Sequence, residues 1–400
     1  MRESIDRRGM AVLSGGHLAT DFASGSIPAL LPFFTVKFDL SYTLTAILML
    51  SVLVSSSLVQ PLFGFWSDKR GALWLLPGGL ALAGIGLALA ALAPSYPVLV
   101  VVVFASGIGI AAFHPEGAKF AVYVSGRKRA SGMSLFNIGG NTGYALGPII
   151  VTPLVLWLGL GKGGLLASIP VVVVALAVAT ALPYLSRQQP TSQAWARSAE
   201  GKDDVRAMAL LACVIGLRSV AWFGLLTFVP LYVVSLGNSE ADGNHLLSLM
   251  LLSGAVGTLL LGPLADRFGL RRTLLVAQSL LAPMILVFVL VGGIAGAAAL
   301  MVVGICVVGT FGLTMVLSQM YLPQHVGMAS GLSVGLAMGL GGIAAVALGG
   351  LADAVDLKTA LICSAFAPLL GVVVCLFLPA PRRPTTVAAA PSPAYPLLDR

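Results

Sequence analysis

Apolar runs of about twenty residues recur from one end of this chain to the other, each long enough to cross a hydrocarbon layer of about 30 Å as a helix. Twelve can be placed, at roughly residues 10–34, 42–64, 72–93, 97–121, 131–157, 163–185, 207–235, 245–264, 273–293, 296–320, 328–351 and 358–379. The chain is 58% hydrophobic and only 10% charged, against about a quarter charged in an ordinary soluble domain. Little remains for a separate soluble domain, so the expected fold is all-α and integral to the membrane, with twelve transmembrane helices. The first run follows "MRESIDRRG" and contains His17 and Asp21. It lacks a compact apolar core ending in a cleavage site, so it is expected to be retained as a helix.

The net charge of +8 would suit a nucleic-acid partner, but its distribution argues for another role. With the N-terminus in the cytoplasm and twelve crossings, the inner segments hold Arg2, Arg7, Arg8, Lys69, Arg70, Arg127, Lys128, Arg129, Arg187, Arg197, Lys202, Arg206, Arg267, Arg271, Arg272, Arg382, Arg383 and Arg400. The outer loops hold only Lys37, Lys162 and Lys358, while Lys119 and Arg218 fall inside spans. This asymmetry is the positive-inside rule. Both termini are expected in the cytoplasm of a bacterial inner-membrane protein, with the lipid bilayer and no nucleic acid as partner. Cys213, Cys306, Cys363 and Cys375 lie in apolar spans without metal-like spacing and read as small core residues. No metal or other cofactor is expected.

The longest polar stretch between spans, "LSRQQPTSQAWARSAEGKDDVR", separates six runs from six. The expected organisation is a first six-helix half over 1–185, a linker over 186–206, a second half over 207–379 and a disordered Pro/Ala-rich tail over 380–400. Matching features recur about 200 residues apart. "GFWSDKRG" (Gly64, Asp68, Lys69, Gly71) follows the second run and "GPLADRFGLRR" (Gly262, Asp266, Arg267, Gly269) the eighth, an offset of 198 residues. "ASGMS" at 130–134 meets "ASGLS" at 329–333, an offset of 199. Internal duplication of this kind builds many secondary transporters. In each loop, glycine permits close approach and a sharp turn, and the aspartate favours a helix N-terminus and offers an ion-pair partner for an inner gate.

Ionisable side chains inside a span are costly and read as functional by default. His17 and Asp21 are four residues apart and share a helical face, continued by Ser24 and Pro28. In the fourth run, His114, Glu116 and Lys119 surround Pro115, which lacks an amide donor and loosens the helix. Glu116 and Lys119, three apart, are placed to neutralise each other; the alternative is that Glu116 titrates. Asn137, Asn141, Tyr144 and Pro148 give the fifth run a polar stripe. Arg218 offers a planar fork of donors for carboxylate or phosphate oxygens, with Trp222 one turn on as a stacking partner; the bland alternative pairs Arg218 with Asp21 or Glu116. At about 1.5 Å per residue, Asp21, Arg218 and His114 fall near one depth, so a wet cavity between the halves is expected.

The duplicated loops resemble the signature of the major facilitator superfamily, G-x-x-x-D-(R/K)-x-G followed by basic residues; the first copy departs, with "ALW" after Gly71. "HLATD", "FHPEGAK", "NIGGNTGYALGP", "LRS" and "LPQHVGMASGLSVGLAMGLGG" further resemble its fosmidomycin-resistance branch. That resemblance implies a proton-coupled exporter of a small anionic compound such as a phosphonate. Its polar motifs match His17, Asp21, His114, Glu116 and Arg218, while Lys119 stands where the branch more often has Arg. Gly143, Gly147 and Pro148 partly resemble the superfamily's antiporter motif, which Val151 and Thr152 depart from. Gly331, Gly335 and Gly339 are expected to serve close helix packing.

The resulting expectation is alternating-access antiport by a monomer. His114 and Arg218 would contact the solute's anionic group, with Asn137, Asn141, Tyr144 and Trp222 lining the site. Asp21, Glu116, His17 and Lys119 would handle the proton. Import by proton symport on the same fold is the alternative. An enzyme is not expected, because no zinc-type cluster, nucleophile elbow or phosphate-cradling loop is present. A channel is disfavoured by the duplicated gate loops.

Overall fold

The computed structural model describes residues 4–57, 59–60, 62–63, 66, 72–126, 129–188 and 202–380. Among these residues the chain forms twelve α-helices, one short 3-10 turn and no strand. In chain order the helices are α1 Arg7–Phe38, α2 Tyr42–Ser57, α3 Leu75–Leu92, α4 Tyr96–Val124, α5 Arg129–Leu158, α6 Leu160–Ser186, α7 Val205–Ser235, α8 Glu240–Phe268, α9 Leu270–Leu290, α10 Gly293–Tyr321, α11 Val326–Ala354 and α12 Leu357–Leu376. Ten are long and apolar enough to cross a membrane, which α1 and α2 are not. The described part of α2 is only 16 residues long, and α1 carries His17, Asp21, Ser24 and Ser26 through its middle.

The duplication extends into the capping and packing. Asp6 accepts from the Gly9 amide at the start of α1, and Asp204 accepts from the Ala207 amide at the start of α7. In turn the Asp6 amide donates to Val124 O at the end of α4, and the Asp204 amide to Tyr321 O at the end of α10. These caps repeat at the same 198-residue offset as the loops. Within the first six helices α1 packs on α5, and α3 on α4 and α6; six helices later α7 packs on α11, and α9 on α10 and α12. A carboxylate at a helix N-terminus meets unpaired amides and the positive end of the helix dipole, so both copies fix where their first helix begins.

Close backbone approach joins α1 to α5. A Cβ at Gly139 or Gly143 would run into the carbonyls of Ser14 and Leu18, and one at Gly147 into the Gly25 backbone. These glycines recur every fourth residue, the spacing of small residues at membrane helix contacts. Gly335 and Gly339 of α11 behave differently: no described atom lies within 4 Å of a Cβ built on either. The packing expected of that stripe falls to Gly341 against Phe223 and Gly342 against Leu50; Gly331 lies outside what is described of its side-chain environment.

The two sets of six meet through α2 with α11 and α5 with α8. Two groups of hydrogen bonds join the sets toward the end bearing the α1–α2 connection. Asp353 of α11 accepts from the Tyr42 amide (2.7 Å), the Thr43 amide (2.9 Å) and Thr43 Oγ1 (2.5 Å). Asn244 of α8 donates to Ala29 O (3.0 Å) and Thr152 Oγ1 (2.9 Å). These contacts tie the two sets together at that end. On its outside, Leu165, Ile169, Val173 and Leu176 of α6 expose an apolar stripe, a face that an apolar solvent satisfies and water does not. Two of the four cysteines also depart from the core expectation, since Cys213 and Cys363 are exposed while Cys306 and Cys375 are buried.

Candidate ligand and proton site

Three elements converge on Asp21. His17 lies one turn before it on α1, and its Nε2 is 3.3 Å from Asp21 Oδ2. His114, carried in by α4, places its Nε2 3.1 Å from Asp21 Oδ1. Each imidazole is also held from its far side: His17 Nδ1 donates to Phe136 O of α5 and His114 Nδ1 to Ile110 O, both at 2.8 Å. A carbonyl only accepts, so both Nδ1 atoms carry hydrogen. The His17 ring stacks on Phe136, centroids 4.1 Å apart, and meets His114 edge-on. Side-chain exposure is 8% for His17, 18% for Asp21 and 24% for His114, so the His114 side is the more open one.

Gly140 of α5 makes this cluster possible. A Cβ there would sit 2.5 Å from His17 Nε2 and 2.6 Å from Asp21 Oδ2. The residue was legible only as part of a glycine-rich run, because spacing does not show which glycine meets a carboxylate. The donor atoms of His17, Asp21 and His114 fall within 4.8 Å of one another, a spacing that a metal ion would tolerate. Their 3.1 and 3.3 Å contacts are hydrogen-bond distances, and shared protons satisfy them without a metal.

Glu116 and Lys119 do what their spacing suggested: Lys119 Nζ is 2.8 Å from Glu116 Oε2, with Glu116 fully buried. This pair sits one turn along α4 from His114. Asn137 is exposed, while Asn141 and Tyr144 are half-buried on the same helix as Gly140.

Arg218 stands at the centre of the last six helices and is 1% exposed. Its Nη1 donates to Thr310 Oγ1 of α10 at 2.7 Å, and its guanidinium lies 4.5 Å over the Phe311 ring. The ring that supports it is therefore Phe311's and not Trp222's; Trp222 is buried nearby in α7. Among the described residues Arg218 forms no ion pair with Asp21 or Glu116. Its Nε and Nη2 are buried without a hydrogen-bond partner. Those two donors form one edge of the guanidinium plane, the edge that grips an oxyanion bidentately. Thr310 and Phe311 were missed because an apolar run containing one threonine gives no signal of which arginine it will meet. Arg218 is 13 residues into α7 and Asp21 14 into α1, so both lie about 20 Å along their helices.

Of the paired loops, Gly64, Asp68, Lys69 and Gly71 lie outside the described residues. In the second copy, Asp266 and Arg267 end α8, and Gly269 (φ 94°) alone links α8 to α9. That left-handed conformation suits glycine. Gly262 has no described atom within 4 Å of a built Cβ, so the close approach expected there is not seen.

Comparison with known proteins agrees with this architecture. The family model described as Major Facilitator Superfamily matches residues 13–345 and again 211–398. The uncharacterized MFS-type transporter YfnC of Bacillus subtilis (strain 168) is 33% identical over 365 residues, covering 89% of each chain. The fosmidomycin resistance protein of Escherichia coli (strain K12) is 28% identical over 376 residues, covering 92% of each. Among solved structures, a bacterial homolog of the human lysosomal transporter Spinster superposes with a TM-score of 0.75 at 13% identity, covering 94% of this chain and 97% of that one. The transporter FucP superposes with a TM-score of 0.63 at 15% identity, covering 92% and 98%.

Proposed function

The chain belongs to the major facilitator superfamily and is a multi-pass membrane transporter, not an enzyme; on that premise we propose that it is a proton-coupled antiporter exporting a small anionic solute, of the phosphonate or related oxyanion class. The observation that carries the anionic class is the Arg218 edge. A buried guanidinium with one donor anchored, its face stacked and two adjacent donors unspent is costly until an oxyanion takes them. The proton site is the Asp21 cluster, with His114 as its open side and His17 as its anchor. Export is supported by the relative whose name is a drug-resistance protein.

The positive-inside distribution supports a cytoplasmic α6–α7 end. The arrangement tied by Asp353 and Asn244 is then inward-facing, with the outer end shut. Solute would enter from the cytoplasm onto Arg218, the sets of six would rock about the site, and protonation of the cluster would reset the inward-facing state. A monomer suffices, since the site draws on one chain.

Proton symport in the uptake direction is the second reading, and one observation favours it. The Asp21 cluster and Arg218 each attract anions when protonated, so Coulomb forces alone would load protons and anion together. Antiport requires the conformational change to oppose that tendency. Proteoliposomes containing a pH-sensitive dye separate the readings. Fosmidomycin or another organic anion added under an imposed proton gradient should drive protons opposite to the solute, and Arg218→Ala and Asp21→Asn should abolish this. Parallel movement would establish symport instead, and no proton movement with any anion would overturn proton coupling.

A further inference from the structure

The Asp21 cluster fixes its own proton count, and we infer that it stores two protons as a unit in the arrangement seen here, giving a net charge of +1. This rests on the reading that the cluster is the coupling site, and it specifies how many protons that site holds. The argument is one of donors and acceptors. Both Nδ1 atoms spend their hydrogens on backbone carbonyls. Two contacts then remain, His17 Nε2 to Asp21 Oδ2 and His114 Nε2 to Asp21 Oδ1.

Each contact needs one hydrogen between its heavy atoms. With two protons both are hydrogen bonds, and because imidazole is the stronger base each proton sits on an Nε2, two imidazolium rings around one carboxylate. With one proton, a nitrogen lone pair faces a carboxylate oxygen, and that contact must open. With three, two hydrogens point at each other across one contact. Only the two-proton state keeps both contacts at 3.1 and 3.3 Å.

The surroundings supply no competing proton. On α4, Glu116 and Lys119 are paired with each other, and Tyr96 and Tyr123 lie at the helix's two ends. Tyr144 of α5 feels the Asp21 charge but makes no hydrogen bond to it among the described residues, and α3 carries no ionisable side chain. On α2, Tyr42 is at the far outer end, as are Glu240, Asp242 and His245 of α8. Tyr184 of α6 donates to Asp6 at the opposite end, and Arg218 of α7 donates to Thr310. Loss of one proton should therefore free His114, the more exposed partner, while His17 keeps its stacked seat against Phe136. The stoichiometry that follows is two protons per solute whenever the cluster empties in each cycle.

The chain has four histidines, which makes the count directly measurable. The full-length protein, labelled with nitrogen-15 histidine and held in lipid nanodiscs at neutral pH, would be read by NMR, with His17→Gln and His114→Gln used only to assign signals. The expected wild-type result is that neither residue 17 nor 114 shows the signal of a bare, unprotonated ring nitrogen. In Asp21→Asn, the amide accepts from one imidazole and donates to the other, so one bare nitrogen should appear. A bare nitrogen at either position in wild type would overturn the inference, even where proton-coupled flux is intact. The reversal potential of solute flux in proteoliposomes, measured on wild type alone, gives the second readout. Two protons per solute supports the inference, whereas flux indifferent to the proton gradient would defeat the coupling reading itself.

Discussion

The two sets of six helices are packed alike and furnished differently at their centres. The first set holds Asp21 between two imidazoles whose every nitrogen has a partner. The last set holds Arg218 with one donor anchored and two adjacent donors unspent. A duplicated scaffold thus carries a closed polar cluster on one side and an open one on the other. A satisfied cluster is suited to store protons, because its exchange partners are already in place. An unsatisfied buried cation is suited to take a ligand, because binding removes a standing cost. Division of labour between repeats follows from which hydrogen bonds each repeat leaves unmade.

The largest expected effect comes from removing the open fork. Arg218→Ala should weaken binding of an organic phosphonate by about a hundredfold or more, since a buried charge-assisted bidentate pair is worth about 2–5 kcal/mol. Arg218→Lys sharpens the point by keeping the charge and losing the fork; it should recover part of the affinity, by about tenfold. Binding to purified protein by calorimetry checks both, and equal affinity for Lys and Arg would mean that charge alone recruits the ligand. Next comes Asp21→Asn. Solute exchange without a gradient should survive within about twofold, because the fork is intact, while gradient-driven accumulation falls by about tenfold or more. If exchange and accumulation fell together, the two centres would not be separable.

Gly140→Ala tests the cluster through its packing. A methyl group pressed against His17 and Asp21 must displace one of them, at a cost of about 1–3 kcal/mol for overpacking. Gradient-driven transport should fall about fivefold, with phosphonate affinity unchanged. The neighbouring Gly139→Ala, which meets Ser14 instead, controls for general damage to the α1–α5 contact.

What could be read in the sequence follows the range of each interaction. Twelve helices were legible because a membrane imposes a length and a composition that no tertiary contact overrides. The His17–Asp21 and Glu116–Lys119 pairs were legible because their spacing is local and helical. His114 was marked as polar but without a partner, and its contact with Asp21 depends on how α4 crosses α1. Thr310 and Phe311 lie 92 and 93 residues beyond Arg218, in a run whose composition suggests only lipid. Trp222 was chosen as the stacking ring by the one-turn rule, and the fold brought an aromatic from another helix.

The smallest expected effect concerns the tie that joins the two sets far from either centre. Asp353 accepts three hydrogen bonds at the start of α2, two of them from backbone amides that a helix N-terminus leaves without partners. Its charge and geometry stabilise only the arrangement in which α11 reaches α2, so Asp353→Ala should shift the balance away from it. Hydrogen bonds to a charged acceptor contribute about 1.5–3 kcal/mol when buried and less when exposed, and this carboxylate is near the surface. A shift of about threefold in population is expected, seen as greater outer accessibility of a cysteine placed at Thr152, buried where α5 meets α8, and labelled by a membrane-impermeant thiol reagent. Phosphonate affinity measured in detergent should change by no more than that factor, because a population shift rescales affinity only through the competent fraction. A larger loss would mean that the outer tie also shapes the Arg218 fork, and the two centres would then be coupled through α11 and not only through the ligand between them.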